Sequence, residues 1–247
     1  MVKLTDLKSQ AKKPLVATFV GEGGVGKTRL ASLFPKPVWI PTENPGQTLQ
    51  GRPDIPMFPL AESAKEVFEA FQALYEQDHD YKTVVVDSIT KMNILFESHV
   101  VATDIKKPSS INQANGGYGN GHGAVAEMHR RVRMYAELLM RDKGMNVVFL
   151  AHADTKTFNP PDGEPYSYYT IRMNERSIAH YTDDVDLVGF VKLKTYTTGS
   201  GDVKKATTDG TREIVCQPSP SHVSKNRLGI VEPVAFDGKE NPFNAFV

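Results

Sequence analysis

The octapeptide Gly21-Glu-Gly-Gly-Val-Gly-Lys-Thr28 follows directly on the apolar run Pro14–Val20 (PLVATFV), and this junction constrains the fold more than any other feature of the chain. A short run of that kind reads as a strand buried on both faces. The octapeptide fits the pattern G-x-x-x-x-G-K-[S/T] at every position, a match that chance would supply in about 1 % of chains of this length. Gly21, Gly23, Gly24 and Gly26 let backbone N–H groups curl around a phosphate where a side chain would block the approach. The helix that follows adds the positive end of its dipole. Lys27 would reach the β- and γ-phosphates, and the Thr28 hydroxyl would ligate Mg²⁺. With Glu22, Val25 and Arg29, these residues form a candidate site for a nucleoside triphosphate.

Short apolar strands then alternate with amphipathic helices. Pro37–Ile40, Thr83–Val86 and Asn146–Ala151 read as further strands. Helices are expected over 63–78, from Ile89 to about Ala102, and from Val125 to a stop near Gly144. Ser63 and Glu66 have capping-box spacing. Residues 103–123 and 154–176 lack periodicity and read as long loops, a rarity in compact domains that is usually functional. From Asp186 to Ile230 the pattern suggests shorter strands, with a turn at Gly199–Asp202. The expected fold is α/β, a mostly parallel sheet with helices on both faces. Residues 1–13 read as a polar leader, 14–231 as one domain and 232–247 as a tail.

The chain has 247 residues, 29 basic and 29 acidic side chains and one cysteine, Cys216. Zero net charge argues against a uniformly basic nucleic-acid binder, though not against local patches. A single cysteine excludes a disulfide framework and suits a reducing cytosol. No apolar run approaches the roughly 18–20 residues that cross a bilayer, and the lysine-dotted start has no signal-peptide core. A soluble, cytoplasmic protein is expected.

Three residues stand where strands end, the edge at which open α/β sheets bind ligands. Asp87 closes the run TVVV and could hold Mg²⁺, or could cap the next helix. Glu43 follows the second strand and could activate water, or could be a solvated loop residue. His152 follows NVVFLA and could sense the γ-phosphate, or could cap the strand. The basic segment His129-Arg130-Arg131-Val-Arg133 resembles a DNA patch, but Glu127/Arg131, Arg133/Glu137 and Glu137/Arg141 are spaced i,i+4, which favours a solvated, ion-paired helix face.

These residues resemble the RecA-like ATPases, and within them the phage ATP-binding proteins of the Sak type, regarded as single-strand annealing recombinases. Gly21–Thr28 resembles the Walker A loop, Ile40-Pro-Thr-Glu43 the segment carrying the catalytic glutamate, and Val84-Val-Val-Asp87-Ser88 the Walker B strand. Phe149-Leu-Ala-His152 occupies the place of the strand ending in a γ-phosphate-sensing amide, with histidine in its stead. Ser224-Lys225-Asn226-Arg227 is similar to the Lys-x-Arg element that reaches a neighbour's ATP, and is otherwise a basic turn in solvent. The resemblance implies an Mg²⁺-ATP-dependent ATPase in the host cytoplasm. It also implies a homo-oligomeric ring or filament with ATP at subunit interfaces, and a single-strand binding protein as a further partner.

The two irregular regions fall where RecA carries its DNA-binding loops. The first holds Lys106, Lys107, Asn115, Tyr118 and His122. The second holds Lys156, Phe158, Tyr166, Tyr168, Tyr169, Arg172 and Arg176. Cations track phosphates and rings stack on bases of any sequence, so these loops could bind single-stranded DNA, or could be surface loops with incidental tyrosines. The function this implies is annealing or strand exchange in phage recombination. The alternatives are a ring-forming helicase-type motor and a nucleotide-gated assembly protein without DNA binding. The tail holds Phe243 and Phe246, which could dock on a neighbour or on the chain's own core.

Overall fold

The computed structural model describes residues 13–198 and 205–247; most of the expected leader and the turn at Gly199–Asp202 lie outside them. Strands β1 (Val16–Gly21), β2 (Pro37–Pro41), β3 (Thr83–Asp87) and β4 (Asn146–Phe158) have parallel partners, as does β6 (Leu187–Thr198). The others are β5 (Tyr166–Ile171), β7 (Lys205–Val215), β8 (Lys225–Asn226) and β9 (Val234–Phe236). They form a nine-stranded mixed sheet in the order β2-β3-β4-β1-β6-β7-β9, with β5 on β4 and β8 on β6. The helices are α1 (Lys27–Ala31), α2 (Ala64–Glu76), α3 (Ile89–Thr103), α4 (Asn120–Lys143) and α5 (Glu175–Thr182). The expected α/β architecture is the one observed.

Strand pleating sorts the core into two layers. Val16, Val20, Val84, Val86, Val147 and Phe149 face α2 to α5, while Ala17, Phe19, Val85, Val148 and Leu150 face α1 and irregular segments. With both faces covered, the strands are continuous apolar runs, which is why they were legible. The capping box of α2 is present, with Ser63 Oγ accepting from the Glu66 N–H at 3.3 Å. Phe243 is fully buried, its ring 5.4 Å from that of Phe19. The tail residues therefore dock on the chain's own core, and β9 pairs with β7.

Three expectations need correction. Residues 154–176 are not a loop: β4 runs on past His152 and pairs antiparallel with β5, from Ala153↔Ile171 to Phe158↔Tyr166, and α5 starts within the same stretch. This hairpin is largely exposed on both faces, so no core-facing alternation marks it, although its threonines and tyrosines are good strand formers. The segment after Asp186 holds two long strands, β6 and β7, rather than only short ones. Finally, α4 begins at Asn120, inside the expected loop. Its glycine at 121 has a packing cause: a Cβ there would lie 2.2 Å from the Ile111 carbonyl oxygen. No helix among the described residues is long and apolar enough to cross a membrane.

Candidate active site

The phosphate loop connects the end of β1 to α1. Gly24 and Gly26 have φ of +78° and +99°, and a Cβ on Gly21 would lie 2.4 Å from the Val191 carbonyl oxygen, so glycine is demanded at these positions. Lys27 is 7 % exposed, and its ammonium donates to the carbonyls of Gly21 at 2.8 Å and Glu22 at 2.7 Å. Thr28 Oγ1 donates to Asp87 Oδ2 at 3.1 Å. Trp39 Nε1 lies 3.4 Å from the same oxygen. Ser88, not Asp87, caps α3, its Oγ accepting from the Lys91 N–H. The capping alternative for Asp87 is thereby removed.

Burial pushes the Asp87 carboxyl up to about 6, with Glu43 adding to it and Thr28 and Trp39 opposing. Burial likewise pushes the Lys27 ammonium down to about 8, against the pull of Asp87 and Glu43. In each case burial, which disfavours the charged form, outweighs the opposite charge nearby. A hydroxyl and a carboxylate in contact are hard oxygen donors of the kind Mg²⁺ takes alongside phosphate oxygens and water. The residues fit that ion.

Glu43 is positioned by contacts between the ends of β2, β3 and β4. Thr42 Oγ1 donates to the Ser88 carbonyl at 2.7 Å and accepts from the Ser88 N–H at 2.9 Å, which locks the end of β2 to that of β3. The Glu43 carboxylate then meets His152 Nε2 at 2.8 Å. Burial would raise this carboxyl, but the hydrogen bonds from His152 and Ser88 outweigh it and hold the group below the ordinary carboxylate range. Glu43 is therefore not a freely solvated loop residue. The His152 N–H donates to Thr90 Oγ1 at 2.9 Å. His152 does not cap its strand, because β4 continues to Phe158.

Other expected site residues are elsewhere. Arg29 turns away from the loop, and its Nε donates to the Gly238 carbonyl at 2.7 Å, tying α1 to the C-terminal segment. Lys225 and Arg227 lie at the opposite end of the sheet: Lys225 pairs with Val188 at the start of β6, and its ammonium donates to the Asp183 carbonyl. The Arg227 N–H donates to the Asp186 carbonyl at 3.0 Å.

Among the DNA candidates, Tyr118 is 100 % exposed, and Phe158, Tyr166 and Tyr169 are exposed along the hairpin. Asp104 folds the first segment, accepting from the N–H groups of Lys106 at 2.8 Å and Asn115 at 2.5 Å. Lys107 has a φ of +47°, and Tyr168 is half-buried. His122 pairs with Asn112 at 3.0 Å. Lys156 forms an ion pair with Glu175 at 3.0 Å, and Arg176 donates to the Gly119 carbonyl at 2.7 Å. The start of α5 therefore bridges the hairpin and the start of α4. Arg172 lies at the foot of the hairpin, just past the Ala153↔Ile171 pair and one strand from the phosphate loop. In the basic segment of α4, His129 and Arg133 are buried, Arg130 pairs with Glu127 at 2.5 Å, and Arg131 sits 4.4 Å over Phe68. The three i,i+4 pairs expected there do not form.

Sequence reasoning also missed Arg212 of β7. A Cβ on Gly26 would lie 3.1 Å from its Nε, which is buried without a hydrogen-bond partner. No local signal marks a residue so far along the chain. A cavity of about 510 Å³ opens beside Glu22–Val25 and is closed by Tyr169, Phe190, Lys192 and His222. A family model described as an AAA domain matches residues 13–228. No curated protein matches the chain.

Proposed function

The chain belongs to the AAA domain family, which implies a nucleotide-binding ATPase, and on that premise we propose an Mg²⁺-ATP-dependent protein that binds single-stranded DNA and promotes annealing or strand exchange. The observation that carries the ATPase part is the convergence of Lys27, Thr28, Asp87, Glu43 and His152 at one sheet edge. Thr28 and Asp87 would hold Mg²⁺, which when bound neutralises phosphate charge. The loop's N–H groups and Lys27 bind the polyphosphate and stabilise the charge that develops on it. The Glu43 carboxylate, kept ionised by His152, orients the attacking water and accepts its proton.

The DNA part rests on the hairpin. Strand β4 passes from the site at His152 straight into it, and Tyr169 shares the cavity beside Glu22–Val25. Its exposed rings offer stacking surfaces that no base sequence would disfavour. Phe158 and Tyr166 lie 5.5 Å apart, centroid to centroid. The test is ATP turnover with and without single-stranded DNA, combined with filter binding at several salt concentrations. Binding should weaken with salt, and Tyr166→Ala with Tyr168→Ala should lower affinity at least about tenfold. Absence of binding at every salt concentration would remove the DNA half of the reading and leave an ATPase.

A further inference from the structure

Arg172 stands where the hairpin meets the phosphate loop. Its N–H donates to the His152 carbonyl at 3.0 Å, and its Nη2 donates to the Ala153 carbonyl at 3.0 Å. His152 is in turn the partner of Gly21 in the register of β4 with β1. The foot of β5 is therefore one strand removed from the first residue of the phosphate loop. The Arg172 side chain is exposed, and it has no ion pair among the described residues.

An arginine that has no carboxylate partner among the described residues and stands one strand from the phosphate loop favours an anion there. A guanidinium with one of its five donors engaged keeps a planar fork free for phosphate oxygens. The end of the polyphosphate nearest His152 and Glu43 is the terminal one, since Glu43 marks where water would attack. We propose that Arg172 contacts the terminal phosphate of the nucleotide bound by its own chain. Binding of that phosphate draws the free face of the guanidinium toward the loop, so the foot of the hairpin differs between triphosphate and diphosphate states.

The proposal rests on the nucleotide half of the function above and is independent of the DNA half. It is tested without DNA, by measuring the affinities of ADP and a non-hydrolysable ATP analogue for wild type, Arg172→Ala and Arg172→Lys. Melting temperatures serve as the fold control. Arg172→Ala should lose about tenfold or more in affinity for the triphosphate and change less than about twofold for ADP. Arg172→Lys should recover part of the loss, because a point charge replaces a fork. Hydrogen exchange over residues 154–170 should differ between the two nucleotides in wild type and not in Arg172→Ala. Equal losses for both nucleotides, or no loss for either, overturn the proposal. Wild type that binds neither nucleotide overturns the phosphate-loop reading, and the proposal with it.

Discussion

Glu43 and His152 are 109 residues apart in sequence and 2.8 Å apart in space, and their contact keeps a carboxylate charged at the point where a water would be activated. Glu43→Gln should preserve nucleotide affinity while slowing single-turnover hydrolysis about a hundredfold or more. A fall in binding with an unchanged single-turnover rate would identify Glu43 as a binding group instead. His129 supplies a second prediction at this scale. Its ring bonds Tyr181 at 2.7 Å and Asn93 at 3.1 Å, and burial, with His180 contributing, pushes it down to about 3. The native state thus binds fewer protons than the unfolded chain between that value and 6.5. Stability present above pH 6.5 is lost as pH falls. Between pH 7 and pH 5 the loss from this group should be about 2 kcal/mol. Urea midpoints at the two pH values should show it in wild type, and His129→Gln should reduce the difference.

At the scale of elements, sequence patterning works where one face or both faces are buried and fails where neither is. The strands β1 and β3 and the helix α2 lie within two residues of their expected positions, because burial imposes their apolar runs and stripes. The β4–β5 hairpin reads as a loop from sequence because most of its residues face solvent on both sides. The C-terminal segment shows the converse. Its last strand has three residues, too short to read, yet it aligns Phe243 for a fully buried position against Phe19. Phe243→Ala should destabilise the protein by about 3–5 kcal/mol, chiefly by leaving a cavity. Thermal or urea unfolding measures this, and a change below about 1 kcal/mol would show that the ring contributes little to the core.

For the whole molecule, the opposite placement of two elements matters most. The phosphate loop follows the end of β1, whereas Lys225 and Arg227 flank the beginning of β6, alongside the beginning of β1. From Ala17 to Gly21 the strand rises about 13 Å, so these side chains face away from their own nucleotide site. A role in hydrolysis would require a neighbouring subunit, in a head-to-tail contact that generates a ring or a filament. Arg227→Ala and Lys27→Ala should then each be nearly inactive alone. Mixed oligomers should recover part of the activity, since one interface type joins an intact Lys27 to an intact Arg227. Mixed oligomers with no recovery would assign Lys225 and Arg227 to the basic turn that they form on their own chain.

Sequence alone determined the strand, the phosphate loop and the helix that follows, along with the α/β alternation. Each of these is written in consecutive residues, by glycine's backbone freedom, by a fixed lysine–threonine spacing or by a period of burial. Tertiary structure decided which carboxylate meets which histidine, that Arg172 bonds His152 and Ala153 at the foot of the hairpin, and that Arg29 holds Gly238. These contacts depend on the order and register of strands drawn from both ends of the chain. Strand order is set by how the whole sheet buries its two faces, and no single segment carries that information.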